Sequence, residues 1–243
     1  MNKVSKLVSI LTARPYLSAM ALHHVAAAVE HTSVLTALDC RTVVDIGANR
    51  GQFALVARRC FPGADIISFE PLPEPAAVFR RVFARDNATV LHEAAIGPAP
   101  EHGTMHVSAQ DDSSSLLPIS SLQREIFPGT DEIATVNVRV APLDTFLAED
   151  DIRGPALLKL DVQGFELDAL RGCESLLPRF NWVYCECSFV ELYSGQKQAA
   201  DVVDWLSTKG FRLKGTYNPS YDNVGKSVQA DFLFRREGEV GIS

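Results

Sequence analysis

The chain has 243 residues, 47% of them hydrophobic and 22% charged, enough apolar material for one large core and too much for a disordered segment. Lys and Arg number 23 against 30 Asp and Glu, a net charge of −7, and no basic run exceeds two residues, which argues against a nucleic-acid partner. No apolar run approaches the ~20 residues that a membrane-spanning helix needs.

From Met1 to Asp39 the pattern is helical. Val4, Leu7, Val8 and Leu11 recur on one face, Pro15 interrupts, and Leu17, Met20, Ala21 and Val25 resume. A helical lid over residues 1–39 is expected, in preference to a membrane-surface helix suggested by Lys3 and Lys6. Thr12, Arg14 and Pro15 break the apolar stretch that a secretory signal would continue, so none is expected. The 5 cysteines, Cys40, Cys60, Cys173, Cys185 and Cys187, are odd in number and show no C-x-x-C spacing. They suit a reducing cytoplasm, with Cys185 and Cys187 buried on one strand face.

Past Cys40, residues 40–243 read as one α/β domain. Strands are expected over Thr42–Ile46, Ile66–Phe69 and Thr89–Ala94, separated by helices over Gln52–Phe61 and Glu74–Arg85. Continuous apolar strands between amphipathic helices predict a parallel sheet covered on both faces. His102–Ser108 and Ala134–Val140 alternate with period two, and the polar segment Gln110–Asp131 between them reads as a mobile loop. Then follow strand Ala156–Leu160, helix Phe165–Arg171, strand Trp182–Glu186 and helix Lys197–Lys209. Phe211–Thr216 and Asp231–Phe234 form a closing antiparallel pair.

The first strand runs into Asp45-Ile46-Gly47-Ala48-Asn49-Arg50-Gly51 and then a helix that carries Phe53. A glycine loop between strand and helix binds nucleotides at the carboxyl end of a parallel sheet. Gly47 allows a tight turn and Gly51 a close helix entry, but Asn49 stands where the pyrophosphate fingerprint needs glycine. The Asp45 carboxylate would repel a pyrophosphate and favour a cationic nucleoside, for which S-adenosylmethionine qualifies. Glu70, at the tip of the second strand, suits a pair of ribose hydroxyls. Pro71 and Leu72 offer apolar surface to adenine, and Ala95 and Ile96 leave room for its ring.

These segments, with Leu158-Lys159-Leu160-Asp161-Val162-Gln163-Gly164-Phe165-Glu166 and Leu170-Arg171-Gly172, resemble the FkbM family of methyltransferases from about residue 40 to about 235. The resemblance implies a class I, Rossmann-like fold: a mostly parallel seven-stranded sheet with a terminal antiparallel strand, here preceded by the helical extension. It also implies S-adenosylmethionine as donor and a hydroxyl acceptor on a sugar or related metabolite. Asp45, Gly47, Asn49, Gly51 and Glu70 match the donor motifs; Ala48 and Phe53 join that set. Gln163 departs from the glutamate usual in the family.

An alcohol needs a base, and Asp161, at a strand tip, is the candidate, with Lys159 on the same face to keep it ionised. Glu186, at the next strand's tip, would act as orienter or share a divalent ion such as Mg with Asp161. No tight acidic pair stands there, and no metal is expected. Ser113, Ser114, Ser115, Glu191 and Tyr193 are the candidate acceptor contacts; the histidines, His31 among them, read as surface or core residues. A saccharide or other small acceptor is therefore the expected partner, and self-association is admitted. The competing reading is a donor-binding protein without catalysis.

Overall fold

The computed structural model describes residues 13–238, so the apolar repeat Val4–Leu11 lies outside the described residues. Helix α1 (Arg14–His23) and the short α2 (Thr32–Leu35) precede strand β1 (Thr42–Ile46). Pro15 does not break a helix but begins one, because its missing N–H costs nothing in the first turn. Tyr16 and Ala19 are the buried face of α1, while Leu17 and Met20 are exposed, the reverse of the expected stripe.

After β1 come α3 (Gln52–Cys60), β2 (Asp65–Phe69), α4 (Pro73–Val82), β3 (Thr89–His92) and the two-residue β4 (Ala95–Ile96). The middle of the chain supplies β5 (Glu101–Ser108), α5 (Ser121–Ile126) and β6 (Glu132–Ala141). The remainder is β7 (Ala156–Leu160), α6 (Glu166–Gly172), β8 (Trp182–Ser188), α7 (Ala199–Thr208), β9 (Phe211–Tyr221) and β10 (Ser227–Arg236).

Seven strands form one sheet in the order β3-β2-β1-β7-β8-β10-β9, with β10 antiparallel to both neighbours. This is the class I, Rossmann-like arrangement expected from the sequence. Strands β1 and β7 are parallel, but the order in which strands are added reverses between them, and a crevice opens at the carboxyl ends of strands flanking such a switch. Every residue of β1 and β7 is buried, as two-sided coverage by helices requires. Along β1, Val44 and Ile46 join the core beneath α6 and α7, whereas Val43 joins the core shared with α3 and residues 13–35.

Three segments differ from the sequence reading. The expected third strand stops at His92, and Ala95–Ile96 crosses to a second sheet of order β4-β6-β5. The segment Gln110–Asp131 is not structureless: it holds a 3-10 turn at Asp111–Ser113, helix α5 and bridges His106↔Ser115 and Ile119↔Tyr193. Strand β9 continues past Pro219 to Tyr221, which an edge position permits because its outer N–H groups need no partner.

Candidate functional site

The loop after β1 is fixed by the neighbouring strand tips. Gly47 and Ala48 donate their N–H groups to the Phe69 carbonyl oxygen at 3.0 and 2.9 Å. Gly47 has φ +80°, and a Cβ there would lie 1.9 Å from the Asp161 carbonyl oxygen. Only glycine lets the β1 loop pass so close to the tip of β7. Gly51 at φ +93° enters α3 against the rings of Phe79 and Phe83, where a Cβ would come within 2.6 Å of Phe83.

Glu70 is buried, and backbone donors hold its carboxylate on both sides. Asn49 N–H reaches Oε2 at 2.9 Å and Leu72 N–H reaches Oε1 at 2.8 Å. The same carboxylate lines the crevice. A cavity of about 450 Å³ opens beside it, lined by Gly47, Ala48, Asn49, Phe53 and Glu70. Pro71, Leu72, Ala95 and Ile96 line the same cavity, as do Lys159, Asp161 and Gln163 on the β7 side. That volume lies in the range of small-molecule sites.

Asp45 is elsewhere. It is 0% exposed and is absent from the cavity wall, although its sequence position beside the loop suggested a ligand contact. It points into the core from β1, because its register partner Lys159 on β7 lies on the same sheet face, with Nζ 3.1 Å from Asp45 Oδ1. Lys159 also donates to the Gly47 carbonyl oxygen at 3.2 Å and stands 3.8 Å from Asp161 Oδ2. Burial raises Asp45 above the ordinary carboxylate range, against the pull of Lys159. For Lys159, burial acts downward and the Asp45 and Asp161 carboxylates outweigh it, so its ammonium titrates above the usual range. Asp45 is thus turned to Lys159 inside the fold, and the carboxylate facing the cavity beside the glycine loop is that of Asp161.

The β7 tip turns through Gln163 at φ +53° and Gly164 at φ +97°. Glu166, buried at the start of α6, holds this turn by accepting from Gly164 N–H at 2.9 Å and Val162 N–H at 3.3 Å. Burial pushes its carboxyl up to about 7. Gln163 carries the most connections. Its Nε2 donates to Asp161 Oδ1 at 2.7 Å and to Glu186 Oε2 at 3.2 Å, and its Oε1 accepts from the Tyr193 hydroxyl at 2.8 Å. Gln229 Nε2 donates to the other Glu186 oxygen at 2.8 Å. Burial and the nearby Asp161 carboxylate raise Glu186 well above the ordinary range. Glu186 thus meets Asp161 through an amide, without lining the cavity.

The expected acceptor contacts separate. Among the serines, only Ser114 lines the cavity, with its Oγ accepting from Ser108 N–H at 3.1 Å. Ser113 is buried, and Ser115 donates to the Gln163 carbonyl oxygen at 2.6 Å. Tyr193 is a buried strut between Gln163 and the Ser113 carbonyl, and Glu191 closes its own turn by accepting from Gly195 N–H at 2.8 Å. Neither lines the cavity. Both follow β8, but the turn after it folds under the serine segment instead of over the crevice. The sequence reading missed His31, Arg50, Met105 and Phe165 on the cavity wall. Of these, Arg50 in the glycine loop and Phe165 after Gly164 stood within the quoted motifs without being assigned a contact.

Among the described residues no helix is long and apolar enough to cross a membrane, and no group of three or more His, Cys, Asp or Glu could hold a metal ion. The space between Asp161 and Glu186 that an ion would need is spanned by the Gln163 amide.

The sequence profile of the methyltransferase FkbM domain matches residues 45–213. Methyltransferase 1 of Beauveria bassiana is 28% identical over 186 residues, 70% of this chain and 72% of that protein. The 2-O-methyltransferase NoeI of Sinorhizobium fredii is 27% identical over 202 residues, 79% of this chain and 78% of that protein. The hexuronic acid methyltransferase AglP of Haloferax volcanii is 25% identical over 154 residues, 62% of this chain and 55% of that protein. With that match over most of its length, joined to its glycine loop and strand order, the chain is a member of the FkbM family of S-adenosylmethionine-dependent methyltransferases.

Proposed function

We propose that the protein methylates a hydroxyl group of a sugar, glycan or glycosylated metabolite, with S-adenosylmethionine as donor. The residues present fit that donor. Glu70 lines the cavity with an acceptor carboxylate suited to ribose hydroxyls, Ala95 and Ile96 leave a small apolar wall for a ring, and the Gly47 turn admits close backbone approach. When bound, the donor supplies an electrophilic methyl group on a cationic sulfur.

The observation that carries the reading is Asp161. Its side chain is 37% exposed, lines the cavity, and is held by Gln163 and Lys159. Asp161 accepts the proton of the acceptor hydroxyl as the new bond to oxygen forms, a role worth about 10²–10⁴-fold in rate. Gln163 and Lys159 fix the direction from which that proton is taken, and alignment of the reactants supplies up to ~11 kcal/mol more. Glu186 supports Asp161 from behind through the Gln163 amide. Because that amide already joins the two carboxylates, no divalent ion is required in this reading. The names of the 2-O- and hexuronic acid methyltransferases support oxygen as the methylated atom and a saccharide as its carrier.

Labelled methyl transfer to a panel of glycosides tests the reading. Transfer is expected from wild type and lost in Asp161→Asn, with donor binding kept. Tight donor binding with no transfer to any member of the panel would favour a non-catalytic role.

A further inference from the structure

Residues between His24 and His31 form one wall of the cavity, and His31 is tied by its ring to the sheet. His31 Nδ1 lies 2.9 Å from the Tyr184 hydroxyl. That hydroxyl donates to Asp231 Oδ2 at 2.9 Å, and Asn218 Nδ2 donates to the same oxygen at 2.8 Å. With its single proton directed to Asp231, the Tyr184 oxygen is an acceptor toward His31, so Nδ1, which also lies 3.4 Å from Asp231 Oδ2, carries hydrogen, and in the neutral imidazole the lone pair is on Nε2. The ring is braced edge-on by Phe53 at 5.3 Å and by Tyr184 at 5.6 Å between centroids. Nε2 has no hydrogen bond among the described residues.

The place of this acceptor in the cavity identifies what it meets. Glu70 and Ala95 mark the nucleoside end, beyond β1 on the β2 side. His31 stands on Tyr184 of β8, two strands beyond β1 in the other direction. A molecule whose ribose lies on Glu70 extends past the glycine loop and Asp161 toward His31.

The geometry points to His31 as the residue that recognises the amino group of the donor's amino-acid end through Nε2, with Tyr184 and Asp231 as its positioning residues. This rests on the donor reading given above. It makes the N-terminal segment part of the binding site, beyond a cover laid over it. Tyr184 and Asp231 do not line the cavity, so their effect on a ligand must pass through the imidazole.

Titration calorimetry on the full chain separates the alternatives with three probes. S-adenosylhomocysteine carries the complete amino-acid end, its decarboxylated analogue keeps the amine alone, and 5′-methylthioadenosine has neither. His31→Ala is expected to weaken the first two by about 10- to 100-fold, the range for a lost hydrogen bond to a charged group. The third should change by less than about twofold. His31→Phe, which keeps the ring packing, should repeat the pattern, and Tyr184→Phe should show a smaller loss with the same selectivity. Equal losses on all three probes, no loss on any, or a loss confined to the probe that bears the carboxylate would overturn the inference. Failure of wild type to take up any of the three would defeat the donor reading itself, whereas wild-type binding with unselective variants defeats this inference alone.

Discussion

Lys159→Met tests how the site is built. Met keeps most of the apolar stem and removes the ammonium that lies 3.1 Å from Asp45 and 3.8 Å from Asp161. Asp45 is 0% exposed, so the variant strands a buried carboxylate without its counter-charge. Breaking one side of a buried pair costs about 3–5 kcal/mol, far more than the roughly 0–1 kcal/mol of an exposed ion pair. Loss of the bond to the Gly47 carbonyl oxygen at 3.2 Å adds about 1 kcal/mol. The assay is urea unfolding of wild type, Lys159→Met and the double variant Asp45→Leu/Lys159→Met. The single variant should lose about 4–6 kcal/mol, and the double should recover most of it, since an apolar pair needs no compensation. The pH dependence has a definite sign. Without Lys159, burial and the Asp161 carboxylate raise the folded pKa of Asp45 above the unfolded value, opposed only by the weaker pull of His31. Its protonation then favours folding at low pH, so the single variant should be least impaired near about pH 4 and lose stability as pH rises. A cost below about 1 kcal/mol, or a double variant no better than the single, would refute the reasoning.

Four further outcomes are expected. Asp161→Asn should keep S-adenosylhomocysteine affinity while methyl transfer falls by about 10²–10⁴-fold, read as initial rates under saturating donor. Glu70→Ala leaves the Asn49 and Leu72 N–H groups without their carboxylate and should weaken S-adenosylhomocysteine by about 10- to 100-fold in calorimetry. Glu166, raised by burial from 4.5 to about 7, should make wild-type stability decline as pH rises from about 4.5 to about 7 and level off above; Glu166→Gln should flatten that decline, by about 1–3 kcal/mol in denaturation series. Excess EDTA should leave wild-type transfer unchanged, while Gln163→Glu, which replaces the amide between two carboxylates by a third, should show stoichiometric Mn²⁺ binding by calorimetry.

The sheet was legible because its strands are continuous apolar runs between helices, and the glycine loop marked where it opens. Glu70, Asp161 and the loop backbone could be placed from position alone, since strand tips at a switch point converge by topology. Asp45 was misread because its partner lies 114 positions away at Lys159, so the sequence offers a carboxylate beside the loop but not its burial. Tyr193 and Glu191 were misplaced for a related reason: the turn after β8 packs beneath the serine segment through the bridge Ile119↔Tyr193, a contact with no local signature. His31 was read as an ordinary histidine, because the hydrogen-bond chain behind its proposed role runs through Tyr184 and Asp231 on two strands near the far end of the chain. The short strand β4 looked like the end of β3, and only its pairing with Val140 and Ala141 assigns it to another sheet.

The measurement that bears most directly on the account is calorimetry of the wild-type chain with S-adenosylhomocysteine and, separately, with NADH. The crevice beside Glu70 and Asp161 predicts saturable one-to-one uptake of the thioether nucleoside and no heat from the dinucleotide. Saturable binding of NADH with indifference to S-adenosylhomocysteine would contradict it.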